Sequence, residues 1–341
     1  MRKLKLAISL LVAALLTGLP AIAQEGVGTL SGQTIELLTG NSDGSTINTV
    51  WQLFAESAQR LHPDLRIVVR PNAGGSAALT ATLIAEAAPE GLTIGTVDMD
   101  TLIGKSNGDV DYAVTDFAVL GSLQRDIDVL LATVQSGITS IEQLVSLSEP
   151  VILPVRSTTS GTYYQTQMIN AYLGTRIRAV TGYDSGSRTL AFVSGEARVG
   201  LLGTATSTQL LNDGVAISLL KLIDLSLPPE YRDPPAISQF AGDPRFTWVP
   251  DYLNAAARNL ILVTRKDVPP VRVAALRDLF MEVGGHGDFQ ASIAAVARPD
   301  PASGEEIESL LASITAGGDF AERLSGVVAC GIAVAETANC N

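Results

Sequence analysis

Hydrophobic and polar positions along the chain follow a repeating rhythm of short strands and amphipathic helices. A β-branched run at residues 34–39 predicts a strand, and apolar positions spaced three and four apart predict a helix at 46–61. Further strands are predicted at 66–70 and 92–97, with an Ala-rich helix between them that ends before Pro89. Strand, turn, helix and strand in repetition indicate a parallel sheet covered by helices.

The same rhythm returns in the second half of the chain. There the pattern predicts helices at 141–147, from 162 to about 173, from 187 to 193 and at 270–283, and strands at 151–155, 178–181, 198–202, 216–222 and 260–263. The fold class that this pattern indicates is α/β. The 341 residues are enough for two domains, each with its own core.

Four turns rich in Gly, Ser, Thr and Asn each follow a predicted strand and precede a predicted helix. They lie at residues 40–46, 72–76, 157–162 and 182–187. Ligands of open α/β sheets bind beyond the carboxyl ends of the strands, and a helix N-terminus attracts anions. Four such turns therefore favour a shared anion-binding cleft, although ordinary helix capping explains each turn taken alone.

The N-terminal segment has the pattern of a secretory signal. Basic residues in the first five positions precede an apolar run at 6–19, and small residues at 21–23 predict cleavage before Gln24. The run is short for a membrane span, so an N-terminal anchor is the less favoured alternative. No cysteine follows the run, and no lipid anchor is expected. We expect an exported protein.

Composition narrows the chemistry further. Hydrophobic residues make up 46% and charged residues 17%, which is typical of a folded protein. A net charge of −12 and only 5% aromatic residues disfavour nucleic-acid binding. His62 and His286 are too far apart in sequence to suggest a metal site, and no cofactor is expected. Cys330 and Cys340 are expected to form a local disulfide in an oxidising compartment; a redox pair or metal site is the alternative.

Enzyme motifs are mostly absent from the sequence. No phosphate-binding Gly-Lys-Ser/Thr loop or dinucleotide fingerprint follows a strand, and the Gly-rich turn at 182–186 misplaces the serine of a hydrolase elbow. Ser218 and Lys221 match a Ser-x-x-Lys motif, but they lie in a predicted buried strand without partner motifs. The aspartate pairs at 98/100 and 126/128 are typical of solvated loops. An exported serine hydrolase that uses Ser218 and Lys221 remains an alternative function.

Several short segments between residues 34 and 203 occur in a distinctive order. They are Arg-Pro-Asn-Ala-Gly-Gly at 70–75, Ala-Pro-Glu-Gly-Leu-Thr at 88–93, the Ser/Thr/Gly loop at 157–162, Tyr183 with Gly186, and Ser-Gly-Glu-Ala at 194–197. In this order they resemble the substrate-binding receptors of tripartite tricarboxylate transporters, the Bug family.

The resemblance implies a two-lobed periplasmic binding protein fold, with each lobe a mostly parallel sheet flanked by helices. After a signal peptide at 1–23, the first lobe would comprise 24–131 and 246–341, and the second lobe 132–245. A small organic acid would bind between the lobes, held largely by backbone N–H groups and hydroxyls. The receptor would be a periplasmic monomer without a lipid anchor, and its partners would be the membrane permease subunits of the transporter.

The resemblance and the four turns together predict a set of ligand-binding residues. They are Asn41, Asp43, Gly44, Ser45, Gly74, Gly75, Asp98, Arg156, Ser157, Thr158, Gly161, Thr162, Tyr183, Ser185, Gly186 and Arg188. Arg156 or Arg188 is predicted to clamp a carboxylate, unless both are surface arginines. Asp43 departs from the family pattern and would suit the amine of a zwitterionic ligand, or else serve as a helix cap. A signalling receptor that docks onto a sensor is a further alternative.

Overall fold

The computed structural model describes residues 26–40, 45–71, 77–97, 99, 102, 112–158, 160–294, 297–315, 320–337 and 339–340. Its strands are β1 (Thr34–Thr39), β2 (Arg66–Pro71), β3 (Thr93–Val97), β4 (Phe117–Arg125), β5 (Asp128–Thr133), β6 (Val151–Pro154), β7 (Ile177–Val180), β8 (Val199–Gly203), β9 (Ala216–Lys221), β10 (Arg258–Arg265) and β11 (Pro299–Ser303). Its helices are α1 (Thr46–Leu61), α2 (Ala77–Ala85), α3 (Ile141–Val145), α4 (Gly161–Leu173), α5 (Ser185–Val193), α6 (Thr204–Asn212), α7 (Val249–Ala256), α8 (Pro270–Gly285), α9 (Gly287–Ile293), α10 (Gly304–Thr315) and α11 (Phe320–Thr337). The predicted α/β class is confirmed.

The larger sheet has six strands in the order β11-β4-β10-β3-β1-β2. Strands β1, β2 and β3 are parallel, as the repeating strand and helix pattern predicts. Strand β10 pairs antiparallel with both β3 and β4, and β11 pairs antiparallel with β4. The sheet is therefore mixed, because a late segment of the chain returns to it and completes the sheet beside early strands.

Helix α1 covers the larger sheet with an aromatic cluster. Trp51 and Phe54 lie on one face of α1 and are buried, with ring centroids 5.5 Å apart. Phe54 also contacts Phe280 of α8 and Phe289 of α9, each at 5.8 Å between centroids. The apolar stripe that predicts α1 is thus the face that joins three helices over the sheet.

The second region contains two smaller sheets. Strands β5, β8 and β9 form an antiparallel sheet, and β6 and β7 form a parallel pair. Helix α4 follows β6 and α5 follows β7, so both helices begin at the carboxyl ends of neighbouring parallel strands. Two backbone hydrogen bonds join the turns there: Gly182 donates to the carbonyl of Arg156, and Tyr183 to that of Val155.

The chain passes from the larger sheet to the smaller ones between β4 and β5, and returns through α7 into β10. The predicted lobe bounds remain a prediction.

Helix α11 belongs to the first lobe in the predicted bounds, but it packs closely against α4 of the second region. A Cβ on Gly331 would lie 2.2 Å from the carbonyl oxygen of Gln167. The disulfide predicted between Cys330 and Cys340 is present at the end of this helix. No helix among the described residues is long and apolar enough to cross a bilayer.

Candidate functional site

An open cavity of about 600 Å³ lies where the turns after β6 and β7 meet. Its wall consists of Arg156, Gly182, Tyr183, Asp184 and Gly186. These residues come from two turns about 30 positions apart in sequence, and the parallel pairing of β6 with β7 brings them together. The surface joins the turn at 182–187 to Arg156, which immediately precedes the turn at 157–162, and both turns belong to the four from which an anion-binding cleft is predicted.

Helix α4 begins beside the cavity with an N-terminus that its own N-cap side chain does not satisfy. The hydroxyl of the N-cap residue, Ser160, donates to the carbonyl oxygen of Ser157 at 2.8 Å and makes no capping hydrogen bond. The Thr162 hydroxyl accepts a hydrogen bond from Arg188 Nη1 at 3.0 Å. The Tyr163 N–H bonds to the Ser160 carbonyl, but no N-cap side chain offsets the partial positive charge at this end of the helix.

Helix α5 begins on the same wall, but the chain's own carboxylate caps it. Asp184 Oδ1 accepts a hydrogen bond from the Ser187 backbone N–H at 2.7 Å and another from the Ser187 hydroxyl at 2.8 Å. These hydrogen bonds, the backbone one foremost, lower the pKa of Asp184, and the nearby charge of Arg156 acts in the same direction. The two helices that face the cavity thus differ in what occupies their N-termini.

Arg156 lines the cavity and Arg188 lies close enough to repel it, and the ion pairs formed among the described residues leave both out. The paired guanidinium groups are those of Arg70, Arg245, Arg258, Arg265 and Arg277. Arg156 is exposed, whereas Arg188 is half-buried with a buried Nε that lacks a hydrogen-bond partner. Burial lowers the pKa of Arg188, and repulsion from Arg156 lowers it further. Two mutually repelling guanidinium groups would be stabilised by a bound anion.

A carboxylate close to Arg188, that of Asp128, is buried where the sequence predicts a solvated loop charge. Asp128 accepts a hydrogen bond from Gln165 Nε2 at 2.8 Å. Burial raises the pKa of Asp128 to about 6, and Asp126 also raises it, whereas the bond from Gln165 and the charge of Arg188 lower it. The expectation of a solvated loop charge is wrong for Asp128, because β5 begins at this residue and Gln165 of α4 covers it. Its place immediately before an apolar run was the available signal.

Among the other predicted residues of the second region, Tyr183 and Gly186 line the cavity and the rest lie in the adjoining turns or at the helix starts. Gly161 and Ser185 are the first residues of α4 and α5, and Ser157 and Thr158 lie in the turn before α4. The Tyr183 hydroxyl donates to Glu196 Oε1 at 2.5 Å. Asp184 also lines the cavity but was absent from the predicted set. The sequence shows that it can cap a helix, but not that its side chain faces a cavity.

Most of the predicted first-lobe residues lie outside the described residues. They are Asn41, Asp43, Gly44, Gly74, Gly75 and Asp98. Ser45 is described: it is the N-cap of α1, and its hydroxyl accepts a hydrogen bond from the Asn48 backbone N–H at 3.2 Å. Thr39, at the end of β1, donates to Asn48 Oδ1 at 2.5 Å. These bonds fix the end of β1 against the start of α1.

The Ser-x-x-Lys pair does not form a catalytic arrangement. Both residues lie on β9, and each side chain is engaged by the loop at 231–233. The Ser218 hydroxyl donates to the carbonyl oxygen of Tyr231, and Lys221 Nζ lies 3.0 Å from Asp233 Oδ1 and 3.6 Å from Asp224 Oδ1. Among the described residues, no cluster of three or more His, Cys, Asp or Glu side chains could hold a metal ion.

Known proteins resemble this chain in structure but not in sequence. No protein-family model and no curated protein matches the sequence. A solved TctC solute-binding protein from Polaromonas, without ligand, has a TM-score of 0.70 at 14% identity, covering 87% of this chain and 98% of that one. The chain has a solute-binding protein fold. The two-lobed architecture expected from the resemblance is thereby confirmed.

Two further structures share this fold. The periplasmic binding protein BugD has a TM-score of 0.59 at 14% identity, with 86% of this chain and 97% of BugD covered. MatC from Rhodopseudomonas palustris, solved with bound malate, has a TM-score of 0.58 at 16% identity, with 89% of this chain and 99% of MatC covered. At these identities the similarity establishes the fold.

Proposed function

We propose that this protein is an exported receptor that binds a small organic carboxylate between its lobes and delivers it to a tripartite tricarboxylate-type permease. The observation that carries the proposal is the convergence of positive groups on one cavity. Arg156 lines the cavity, and Arg188 and the uncapped N-terminus of α4 meet at Thr162. This local field attracts an anion even though the whole chain carries a net charge of −12.

Each positive group has a distinct part in binding. Arg156 is exposed and can turn its planar guanidinium toward both oxygens of a carboxylate. Arg188 is held by Thr162 and the charge of Asp128, so less conformational freedom is lost when it binds. The amides of α4 supply fixed dipoles. Closure of the lobes would exclude water and strengthen all three interactions.

The fold supports the receptor role. The structural neighbours are solute-binding proteins, and MatC holds malate, a dicarboxylate. The basic and apolar pattern of residues 1–23 supports export, and the intact disulfide suits an oxidising compartment. We accordingly place the mature protein in the periplasm, as a monomer without enzymatic activity.

Titration calorimetry of the mature protein with malate, citrate and aspartate tests this function. Arg156→Ala is the cleaner variant, because this side chain is exposed and its loss should leave the fold intact. A hydrogen bond to a charged group contributes about 1.5–3 kcal/mol, so Arg156→Ala should weaken carboxylate binding by roughly 10- to 100-fold. Arg188→Ala should weaken it at least as much.

Arg178→Ala is the matched control, because Arg178 is exposed on β7 but lies outside the cavity wall. It should bind the same ligand with wild-type affinity. The proposal fails if no carboxylate binds the wild type, or if Arg156→Ala and Arg188→Ala both bind with unchanged affinity.

A further inference from the structure

The two helix N-termini at the cavity are not equivalent, and the difference bears on ligand choice. Building on the proposed function, we propose that Asp184 is a specificity-determining residue. Its carboxylate takes the anion position at the N-terminus of α5, so the receptor favours ligands with one carboxylate and a neutral or ammonium group at the other end. The single ligand carboxylate then binds at α4 with Arg156 and Arg188.

The hydrogen bonds of Asp184 show that its carboxylate occupies the N-terminus of α5. Asp184 lines the cavity, and its Oδ1 takes both the backbone N–H and the hydroxyl of Ser187. A ligand carboxylate at α5 would need these same donors, which the protein already satisfies. In contrast, Ser160 leaves the N–H groups at the start of α4 without a capping side chain. Of the two helix N-termini, α4 therefore offers the position for an anion.

Electrostatics acts in the same direction. Its hydrogen bonds and the charge of Arg156 lower the pKa of Asp184, so this side chain is ionised at neutral pH. A second ligand carboxylate approaching α5 would meet this negative charge at close range, with the lobes closed around both. Because Ser187 bonds to Oδ1, Asp184 Oδ2 retains acceptor capacity for a ligand ammonium or hydroxyl group.

Three ligands of equal chain length test the proposal. Succinate, butyrate and β-alanine share one carboxylate and differ at the far end, which is a carboxylate, a methyl group or an ammonium group. The wild type should bind β-alanine and butyrate more tightly than succinate by calorimetry. Asp184→Ser keeps a good helix cap but removes the charge. In this variant succinate affinity should rise about tenfold, butyrate affinity should stay the same, and β-alanine affinity should fall.

Asp243→Ser is the control for the chemical change, because Asp243 also caps a backbone N–H, that of Arg245, but lies outside this cavity wall. It should leave the order of the three affinities unchanged. Urea midpoints of both variants check that the fold is retained.

The outcomes separate this inference from the receptor function. If the wild type binds these acids but Asp184→Ser preserves their relative affinities, Asp184 is only a cap and the specificity role is wrong. The same holds if wild-type protein prefers succinate to both other ligands. If neither malate nor any of the three acids binds, the receptor function itself fails, and this inference fails with it.

Discussion

At the scale of single residues, the side chains behind the cavity are held in place by charge and burial together. Asp128 bonds to Gln165, and Arg188 bonds to Thr162, so two residues of α4 link β5 to α5. Burial disfavours the charged forms of both ionisable groups: it raises the pKa of Asp128 and lowers that of Arg188. Keeping Asp128 ionised therefore costs free energy of folding.

The Asp128 carboxyl gives stability a definite pH dependence. Its pKa is about 6 in the folded protein against 3.8 ordinarily, so the folded state holds the proton more tightly. The favourable contribution is complete below about pH 4 and is lost as pH rises through 6. Asp128→Asn removes this loss while keeping an acceptor for Gln165. Urea unfolding should show a free energy of unfolding higher by up to about 3 kcal/mol at pH 7.5, with little change at pH 4.

Asp213→Asn is the control for this change. Asp213 is an exposed carboxylate that accepts hydrogen bonds from Gln209, and its removal should leave the wild-type pH dependence in place. Parallel stability curves for wild type and Asp128→Asn between pH 4 and 7.5 would contradict the prediction.

The sequence predicts the turns of the site better than the roles of its side chains. Gly, Ser and Thr between a strand and a helix mark the two turns of the cavity wall, because their conformational and capping preferences are local. The environment of Asp128 depends on Gln165, 37 positions away, and no local pattern records that contact. The cavity position of Asp184 likewise depends on the pairing of β6 with β7.

At the scale of elements, the periodicity of hydrophobic residues predicts the strands and helices that bury only one face. The predicted bounds of β1 and α1 are confirmed, since an alternating strand and a capped amphipathic helix carry strong local signals. Strand β4 was missed: its first seven residues are buried in succession, so it shows no alternation. Helix α11 was also missed. Its small residues allow close packing on α4, and a local pattern does not record that contact.

Helix α11 contains two glycines that its packing distinguishes. A Cβ on Gly331 would lie 2.2 Å from the Gln167 carbonyl oxygen of α4, whereas a Cβ on Gly326 meets nothing within 4 Å. Gly331→Ala should therefore lower the free energy of unfolding by about 1–3 kcal/mol through overpacking. Gly326→Ala should raise it by about 0.5–1 kcal/mol, because alanine is the better helix former. Thermal and urea unfolding of both variants measure these opposite signs, and equal stabilisation by the two alanines would show that α11 does not pack closely on α4.

At the scale of the whole molecule, chain crossings and the C-terminal helix join the larger sheet to the two smaller sheets. Strand pairing separates the β10 sheet from the β5 sheet, while α10 packs on β4 and α11 packs on α4. Local patterns predict neither the return of β10 nor the placement of α11, because both are long-range contacts. The two-lobed arrangement was expected from the resemblance, and periodicity alone gave only the α/β class.

Trp248 lies where these parts of the molecule meet. It precedes α7, which leads into β10, and its ring lies 5.8 Å from that of Phe320 at the start of α11. The Arg323 guanidinium lies 4.7 Å from the centre of the indole ring. The other tryptophan, Trp51, is fully buried over the larger sheet. Any movement of α11 relative to β10 therefore changes the surroundings of Trp248 and leaves those of Trp51 unaltered.

This difference allows lobe closure to be measured in solution. If the lobes close around a carboxylate, Trp51→Phe protein should change its fluorescence on adding ligand, because Arg323 and Phe320 shift against the remaining indole of Trp248. The Trp248→Phe protein, which retains Trp51, should not respond. Phenylalanine is a tolerable replacement for Trp51, since the buried indole N–H lacks a hydrogen-bond partner. Binding detected by calorimetry without a selective Trp248 response would mean that α11 and β10 move as one body, and that closure occurs elsewhere in the chain.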